Sequence, residues 1–385
     1  MYRYTPTDQL QAKLMIEQLS LHHYRNFKQV HLTFSDGLHF FIGANAQGKT
    51  NLLESLYLVA IGRSHRTRSH RELIQFHHNM AKVRLSLKKA SQKERLDVIL
   101  SPKGKKIFKN GVEQRKLSRY IGTLPVVLFA PEDLELVKGG PSVRRKFLNT
   151  GIGQASPQYL YDLSVYNHLI KQRNHLLKQM ESFATQYELL EVLDEQIVPI
   201  AVRIWKRRIA FLNEINRWSK SIHQQISQQK EKLQLYYRSS IPLAETNLQE
   251  AEIHDLFKQE IKRVQKKEFS RRMTLLGPHR DDVQIQIGEI DVQTFGSQGQ
   301  QRSAVLSLKL AEIEYIYQKK GVYPILLLDD VLSELDDRRK NDLFEAIQGK
   351  VQTFVTTTNL DGVQPELVQK AMVYHIHQGT ILEQR

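Results

Sequence analysis

Two apolar patterns alternate along this chain. Short apolar runs bounded by turn formers read as buried strands, and stretches with apolar positions three and four apart read as helices. Leu38-His39-Phe40-Phe41-Ile42, Tyr323-Pro324-Ile325-Leu326-Leu327-Leu328 and Gln352-Thr353-Phe354-Val355-Thr356-Thr357-Thr358 belong to the first class, strands covered on both faces as in a parallel sheet. Lys82-Val83-Arg84-Leu85-Ser86-Leu87-Lys88 alternates instead, the pattern of a sheet with one wet, positive face. Its neighbourhood carries two hairpin signals, Ser101-Pro102-Lys103-Gly104 and Asn110-Gly111. Helical spacing starts at Thr50, with Leu52, Leu53 and Leu56. It dominates 156–272, through Leu160, Leu163, Tyr166 and Ile170 and then Ile197, Ile200, Ile204, Ile209, Leu212 and Ile215. A further helix is apolar at Val305, Leu306, Leu308, Leu310, Ile313 and Ile316. Residues 216–233 are polar enough to stand clear of a core. The helices pair into a short arm, with heptads too few and irregular for a long coiled coil. His375 and His377 fall in a C-terminal strand-like segment and are expected to serve structure.

The pattern is that of an α/β protein: a parallel sheet with flanking helices, an antiparallel β subdomain and an inserted, mainly α-helical lobe. At 385 residues the chain exceeds what one core accommodates, so two lobes are expected. Residues 14–133 and 277–385 would form one discontinuous lobe, 134–276 the insertion, and 1–13, which has little periodicity, a mobile extension. Cysteine is absent, which rules out a disulfide framework and suits a reducing, cytoplasmic location. The apolar runs are too short to cross a bilayer, so no membrane partner is expected.

Candidate chemistry begins immediately after the first buried strand. Gly43-Ala44-Asn45-Ala46-Gln47-Gly48-Lys49-Thr50 spells G-x-x-x-x-G-K-T between a strand and a helix, a loop whose backbone N–H groups cradle phosphates. Lys49 reaches the β/γ oxygens of a nucleoside triphosphate and Thr50 offers a hydroxyl to Mg²⁺, with the helix N-terminus facing the anion. The second half of such a site follows Ile325-Leu326-Leu327-Leu328, a strand ending in Asp329 and Asp330, where open α/β sheets bind ligands. Asp329 is assigned to the Mg²⁺ shell. Asp330 is assigned to polarising the attacking water, with a helix N-cap as its competing role. Lys49 and Asp329 lie 280 positions apart, which leaves room for the inserted lobe.

Charge adds a partner class. The net charge of +15 is concentrated: residues 60–120 hold 17 Lys and Arg against 4 Asp and Glu, and residues 134–280 hold 24 against 15. Such concentration is the footprint of a polyanion, and no finger or RNA-reading motif accompanies it. Duplex DNA is the expected partner, with a solvated basic sheet as the alternative. Lys103, Lys105 and Lys106 are the cluster singled out for phosphate contact.

Phe295-Gly296-Ser297-Gln298-Gly299-Gln300-Gln301-Arg302 precedes the helix that begins the last apolar series, and it resembles the S-x-G-Q signature of ABC-type ATPases. Ser297 stands at the N-cap. The resemblance implies that Ser297, Gly299 and Gln300 close over the γ-phosphate held by a second subunit, giving an ATP-dependent homodimer. Ser333-Glu334-Leu335-Asp336 resembles the D-loop of that superfamily, and Thr357 stands where many members carry a switch histidine. Phe129-Ala130-Pro131-Glu132-Asp133 occupies the Q-loop region but holds no glutamine.

Further stretches narrow the resemblance: Tyr24-Arg25-Asn26-Phe27, Gly62-Arg63-Ser64-His65-Arg66-Thr67, Gly139 to Leu148 with Arg144-Arg145, and Gly277-Pro278-His279-Arg280-Asp281-Asp282. Together these resemble the RecF family, bacterial recombination-repair relatives of the SMC proteins. That resemblance implies an ABC-type head using ATP and Mg²⁺ and a dimer that engages double-stranded DNA near gap junctions. It also implies slow hydrolysis as a release switch, and partnership with RecR and RecO in loading RecA. Arg63 and Arg66 either approach nucleotide or form a basic surface turn. Arg144 and Arg145 either brace the lobes or contact DNA. The rival readings are a transporter's nucleotide-binding subunit, which leaves the basic segment unexplained, and a nucleotide kinase, which leaves S-x-G-Q unexplained.

Overall fold

The protein, a computed structural model, is described over residues 13–181, 183–243 and 249–384. It comprises two compact units, one of residues 1–133 and 306–385 and the other of 134–305. The extension expected at 1–13 lies almost wholly outside the described residues.

The first unit contains two six-stranded sheets. The antiparallel one runs β2 (Phe27–Thr33), β1 (Leu14–Tyr24), β4 (Ala81–Lys89), β5 (Gln92–Ser101), β6 (Gly104–Lys109) and β7 (Val112–Glu113). Both expected hairpins are present, with Ser101 paired to Gly104 and Lys109 to Val112. Asn110 and Gly111 both have positive φ (50° and 83°), as a tight two-residue hairpin turn requires. The second sheet has the order β15 (Thr380–Gln384), β14 (Met372–His377), β3 (Leu38–Ile42), β13 (Thr353–Thr357), β12 (Ile325–Asp329) and β8 (Val126–Phe129). All its pairs are parallel except β14 with β15. His375 and His377 lie on β14, as the strand-like pattern suggested.

Helix α1 (Lys49–Ile61) contacts strands of both sheets and is buried along nearly its whole length, which is why it is apolar on every side and not on one stripe. Gly62 ends it in the left-handed region, φ 76°, its N–H bonding to the Leu58 carbonyl. Short helices α2 (Leu117–Tyr120), α10 (Asp337–Ile347) and α11 (Pro365–Gln369) complete this unit.

The second unit is mainly helical. It contains α3 (Glu135–Lys138), α4 (Pro141–Ala155), α5 (Pro157–Gln179), the long α6 (Phe183–Ile226), α7 (Glu250–Arg271) and α8 (Val292–Phe295). A three-stranded antiparallel sheet joins them, in the order β11 (Ile290–Asp291), β10 (Asp282–Ile287), β9 (Leu233–Arg238). The division between the units falls inside α9 (Gln298–Lys320). The expected boundary at 277 therefore differs from the observed one. β10 pairs with β9 from the middle of the insertion, and that ladder holds the 277–291 segment in the second unit. Residues 216–233 do not stand clear either: Ser219, His223 and Ile226 are buried, and Asn216 exchanges two 2.7 Å hydrogen bonds with the Leu235 backbone.

Two motifs tied to the family resemblance turn out to build this unit. Arg144 is buried, with a bidentate bond to Asp282 at 2.6 and 2.9 Å and a third to the Gly139 carbonyl at 2.7 Å. Arg145 donates to the Asp281 carbonyl at 2.7 Å. Buried Asp281 accepts from Trp205, Tyr237 and the Ser240 N–H, while buried Arg208 donates to Tyr159, Asn149 and the Pro278 carbonyl. Truncating Asp281 would leave buried Arg208, 3.8 Å away, without its counter-charge, a cost of about 3–5 kcal/mol. Arg144 and Arg145 thus brace the second unit.

Candidate nucleotide site

The C-terminal ends of β3, β13 and β12 lie side by side, with Thr357 paired to Ile42 and Asp329 to Thr356. This register brings the glycine loop after β3 to the acids after β12, although they are 280 positions apart in sequence. Thr50 Oγ1 donates to Asp329 Oδ1 at 2.9 Å, closing the two halves of the site.

The loop is rigidly supported. A Cβ at Gly43 would collide with the Ile376 carbonyl, and one at Gly48, whose φ is 115°, would meet the Asn26 amide at 2.6 Å. Asn26 donates to the Gln47 carbonyl at 3.0 Å and accepts from Asn51 at 2.9 Å. The β14–β15 turn grips the loop from another side, through Gln378 N to Gln47 Oε1 (2.7 Å) and Gly379 N to Gln47 O (3.0 Å). Lys49 Nζ donates to the Gly43 and Ala44 carbonyls at 2.5 and 2.9 Å. Burial lowers the pKa of Lys49, against the pull of Asp330 and Asp329.

Asp329 is buried yet charged. Burial works against its ionisation, but contacts from His65, Thr356 and Thr50 outweigh that and hold its pKa below the usual carboxylate range. Thr356 Oγ1 donates to Asp329 Oδ1 at 2.7 Å. The His65 ring approaches Asp329 Oδ2 at 3.9 Å and packs edge-on to Tyr57, and neither ring nitrogen has a hydrogen-bond partner among the described residues. Thr50 and Asp329 together offer the hard oxygen donors that Mg²⁺ takes alongside phosphate oxygens, so the site fits that ion.

Asp330 has left-handed backbone geometry, φ 54°, held by bonds from its N–H to the Thr356 carbonyl and hydroxyl. It precedes a short 3₁₀ turn, Val331–Glu334, but its side chain makes no capping bond. The carboxylate instead lines a cleft of about 1080 Å³ shared with Lys49, Thr50, Asn26 and Arg66. Its pKa is raised by burial, which Lys49 opposes and Asp329 reinforces. That cleft continues past Arg25 to the exposed Phe76 and its neighbours His77 and His78.

Thr357 ends β13 beside Ile42, and its hydroxyl donates to the Asn359 carbonyl at 2.7 Å. Its neighbour Thr356 makes the bond to Asp329. Both threonines interrupt an apolar buried strand, and a buried hydroxyl needs a partner, so the strand advertised a polar role without saying which residue holds it. Arg66 donates to Asn51 at 2.9 Å on the cleft wall. Arg25 clamps buried Glu54 of α1 with two 2.9 Å bonds. Asp133 of the Q-loop region pairs with Lys309 at 2.8 Å.

Ser297, Gly299 and Gln300 belong to the second unit, at the start of α9. Ser297 Oγ accepts from Gln300 N at 3.2 Å and Gln300 Oε1 accepts from Ser297 N at 2.9 Å, a reciprocal capping box. Lys105, singled out above with Lys103 and Lys106, is half-buried and donates to the Gly62 carbonyl, so it is no free surface cation; the other two are exposed.

The profile of the RecF/RecN/SMC N terminal domain family matches residues 15–381. A DNA replication and repair protein RecF of Shouchella clausii is 48% identical over 96% of this chain and 99% of that protein. Its counterpart in Halalkalibacterium halodurans is 47% identical over 95% and 98%. Among solved structures, a recombination mediator protein RecF with ATPrS, described as of the RecFOR pathway, aligns with a TM-score of 0.88 at 33% identity, over 96% of this chain and 98% of that one. An Smc head bound to the C-terminal winged-helix domain of ScpA aligns at 0.53 and 16% identity over 95% and 97%, a likeness of fold alone.

Proposed function

The chain belongs to the RecF family of SMC-type ATPases, and from that premise we propose that it is an ATP-driven switch that holds double-stranded DNA. The observation that carries this reading is the Thr50–Asp329 bond, which joins the phosphate loop to the acidic strand end. In the proposed mechanism the loop N–H groups receive the phosphates, and Lys49 exchanges its two carbonyls for β/γ oxygens. Thr50 and Asp329 would hold Mg²⁺, which would supply charge neutralisation on the phosphates. Asp330 orients the attacking water and takes up its proton. The Ser297 helix end of one copy completes the site of another, so that ATP assembles the dimer and slow, DNA-stimulated hydrolysis releases it. RecR, RecO and RecA, with DNA at single-strand gaps, are the partners this reading names. A transporter subunit is disfavoured by the basic charge, and no helix among the described residues is long and apolar enough to cross a membrane.

The experiment is duplex binding by fluorescence anisotropy with ATP, with ADP and without nucleotide, in wild type and Lys49→Met. Wild type should bind duplex at least tenfold tighter with ATP than with ADP, and Lys49→Met should ignore nucleotide. Equal binding under all three conditions would overturn the switch.

A further inference from the structure

Most of the cations of the antiparallel sheet already have partners. Asp97 alone takes Arg84 at 2.6 Å, Arg95 at 3.1 Å and Lys82 at 3.7 Å. Lys109 pairs with Glu94 and Lys93 with Glu17, while Lys105 is tied to the Gly62 carbonyl. The segment stays net positive, but a cation tied to a neighbouring carboxylate or carbonyl must give up that contact to reach a phosphate.

The C-terminal half of α7 is different. Lys262, Arg263, Lys266, Lys267 and Arg271 are all exposed. Lys262, Arg263 and Lys266 lie on the side away from buried Ile253, Phe257 and Ile261, Lys267 on the flank, and Arg271 at the helix end, where it is exposed although it shares the azimuth of Ile253. The stretch contains one acid, Glu268, and it faces inward: it is buried, pairs with Arg173 at 2.7 Å and accepts from the Leu275 N–H. Glu260, just before it, pairs with Arg263 at 2.6 Å. Lys262, Lys266, Lys267 and Arg271 make no ion pair among the described residues. The helix dipole favours cations only over the last turn, which accounts for Arg271 but not for Lys262.

We propose that this outward face of α7, together with the exposed Arg271 at its C-terminal end, is a contact surface for the phosphate backbone of duplex DNA. The inference rests on the DNA-binding reading above and names the surface. At ~1.5 Å rise per residue the stripe is roughly 13 Å long, a length over which a duplex carries about eight phosphate charges. Lysine meets phosphate as a point charge without demanding a base or a fixed geometry, so the contact is sequence-independent. The stripe offers no exposed aromatic ring among its residues, which a single strand would need for stacking, and this favours duplex.

The test is a combined Lys262→Ala, Lys266→Ala, Lys267→Ala and Arg271→Ala variant, with ATP, on fluorescent duplexes of two unrelated sequences across a NaCl series. The log–log salt slope should flatten by about 0.9 for each phosphate no longer neutralised, for both sequences alike. Hydrolysis without DNA should be unchanged, and a Lys103→Ala, Lys106→Ala variant should keep the wild-type slope. A wild-type slope in the fourfold variant, or loss of binding to polyglutamate instead of duplex, overturns the proposal. Wild type that binds no duplex at all sinks the functional reading itself. Should the fourfold variant misfold, Lys262→Gln with Lys266→Gln must still flatten the slope, or the proposal fails.

Discussion

Asp330 shows how much one residue's backbone matters to a test of its chemistry. Its φ of 54° is strained for most side chains, but asparagine tolerates the left-handed region about as well as aspartate. Asp330→Asn therefore removes the proton acceptor and keeps the turn, whereas alanine would disturb both. The substitution should leave ATP affinity within a few-fold and slow hydrolysis by roughly 10²–10⁴. Single-turnover kinetics checks it, and a wild-type rate would move the general base elsewhere. At this scale the sequence was most legible where spacing encodes a loop: Gly43, Gly48, Lys49, Thr50 and Asp329 meet because the motif and strand end specify them. Asn26, His65, Thr356 and Gln378 were not legible as parts of the site. Their contacts depend on register and on turns far away in sequence, and although Asn26 and His65 fall in stretches that carry the family resemblance, nothing in the local pattern assigns any of the four to this site.

Among elements, α9 carries the most unusual group. Glu312 is buried one turn beyond Lys309, and burial lifts its pKa from 4.5 to about 7, against the attraction of Lys309 and with Asp133 adding to the rise. Between pH 4.5 and 7 the folded chain thus keeps a proton that the unfolded chain has released. Stability must fall as pH rises through that window and stay lower above it. Glu312→Gln removes the titration, so its unfolding free energy relative to wild type should be higher at pH 8 than at pH 5, by an amount on the order of 1–3 kcal/mol, read from denaturant unfolding at both pH values. An offset that is the same at both pH values would show that Glu312 does not titrate there. Elements themselves were readable from periodicity, the helix after Thr50 and the three buried strands above all. β9 was not, because six residues inside a helical stretch show their strand character only once β10, forty-odd positions on, supplies the ladder.

For the whole molecule the decisive question is how many copies make one working site. The Ser297–Gln300 capping box fixes the first turn of α9 without help from any ligand, so the helix end is preformed and presents its N–H groups at no further ordering cost. If a second copy's nucleotide completes that helix end, association must require the γ-phosphate and ATP should drive it where ADP does not. Ser297→Arg tests this, because a long side chain at the cap obstructs an incoming phosphate while the loop of Gly43 to Thr50, carried by the other unit, stays intact. The variant should bind ATP with affinity close to wild type yet remain monomeric. Light scattering with ATP and Mg²⁺ reads the outcome directly: wild type should double its mass and Ser297→Arg should not. A wild type that stays monomeric with ATP, or a variant that dimerises equally well, would mean that α9 is capped for its own stability and that each site works alone.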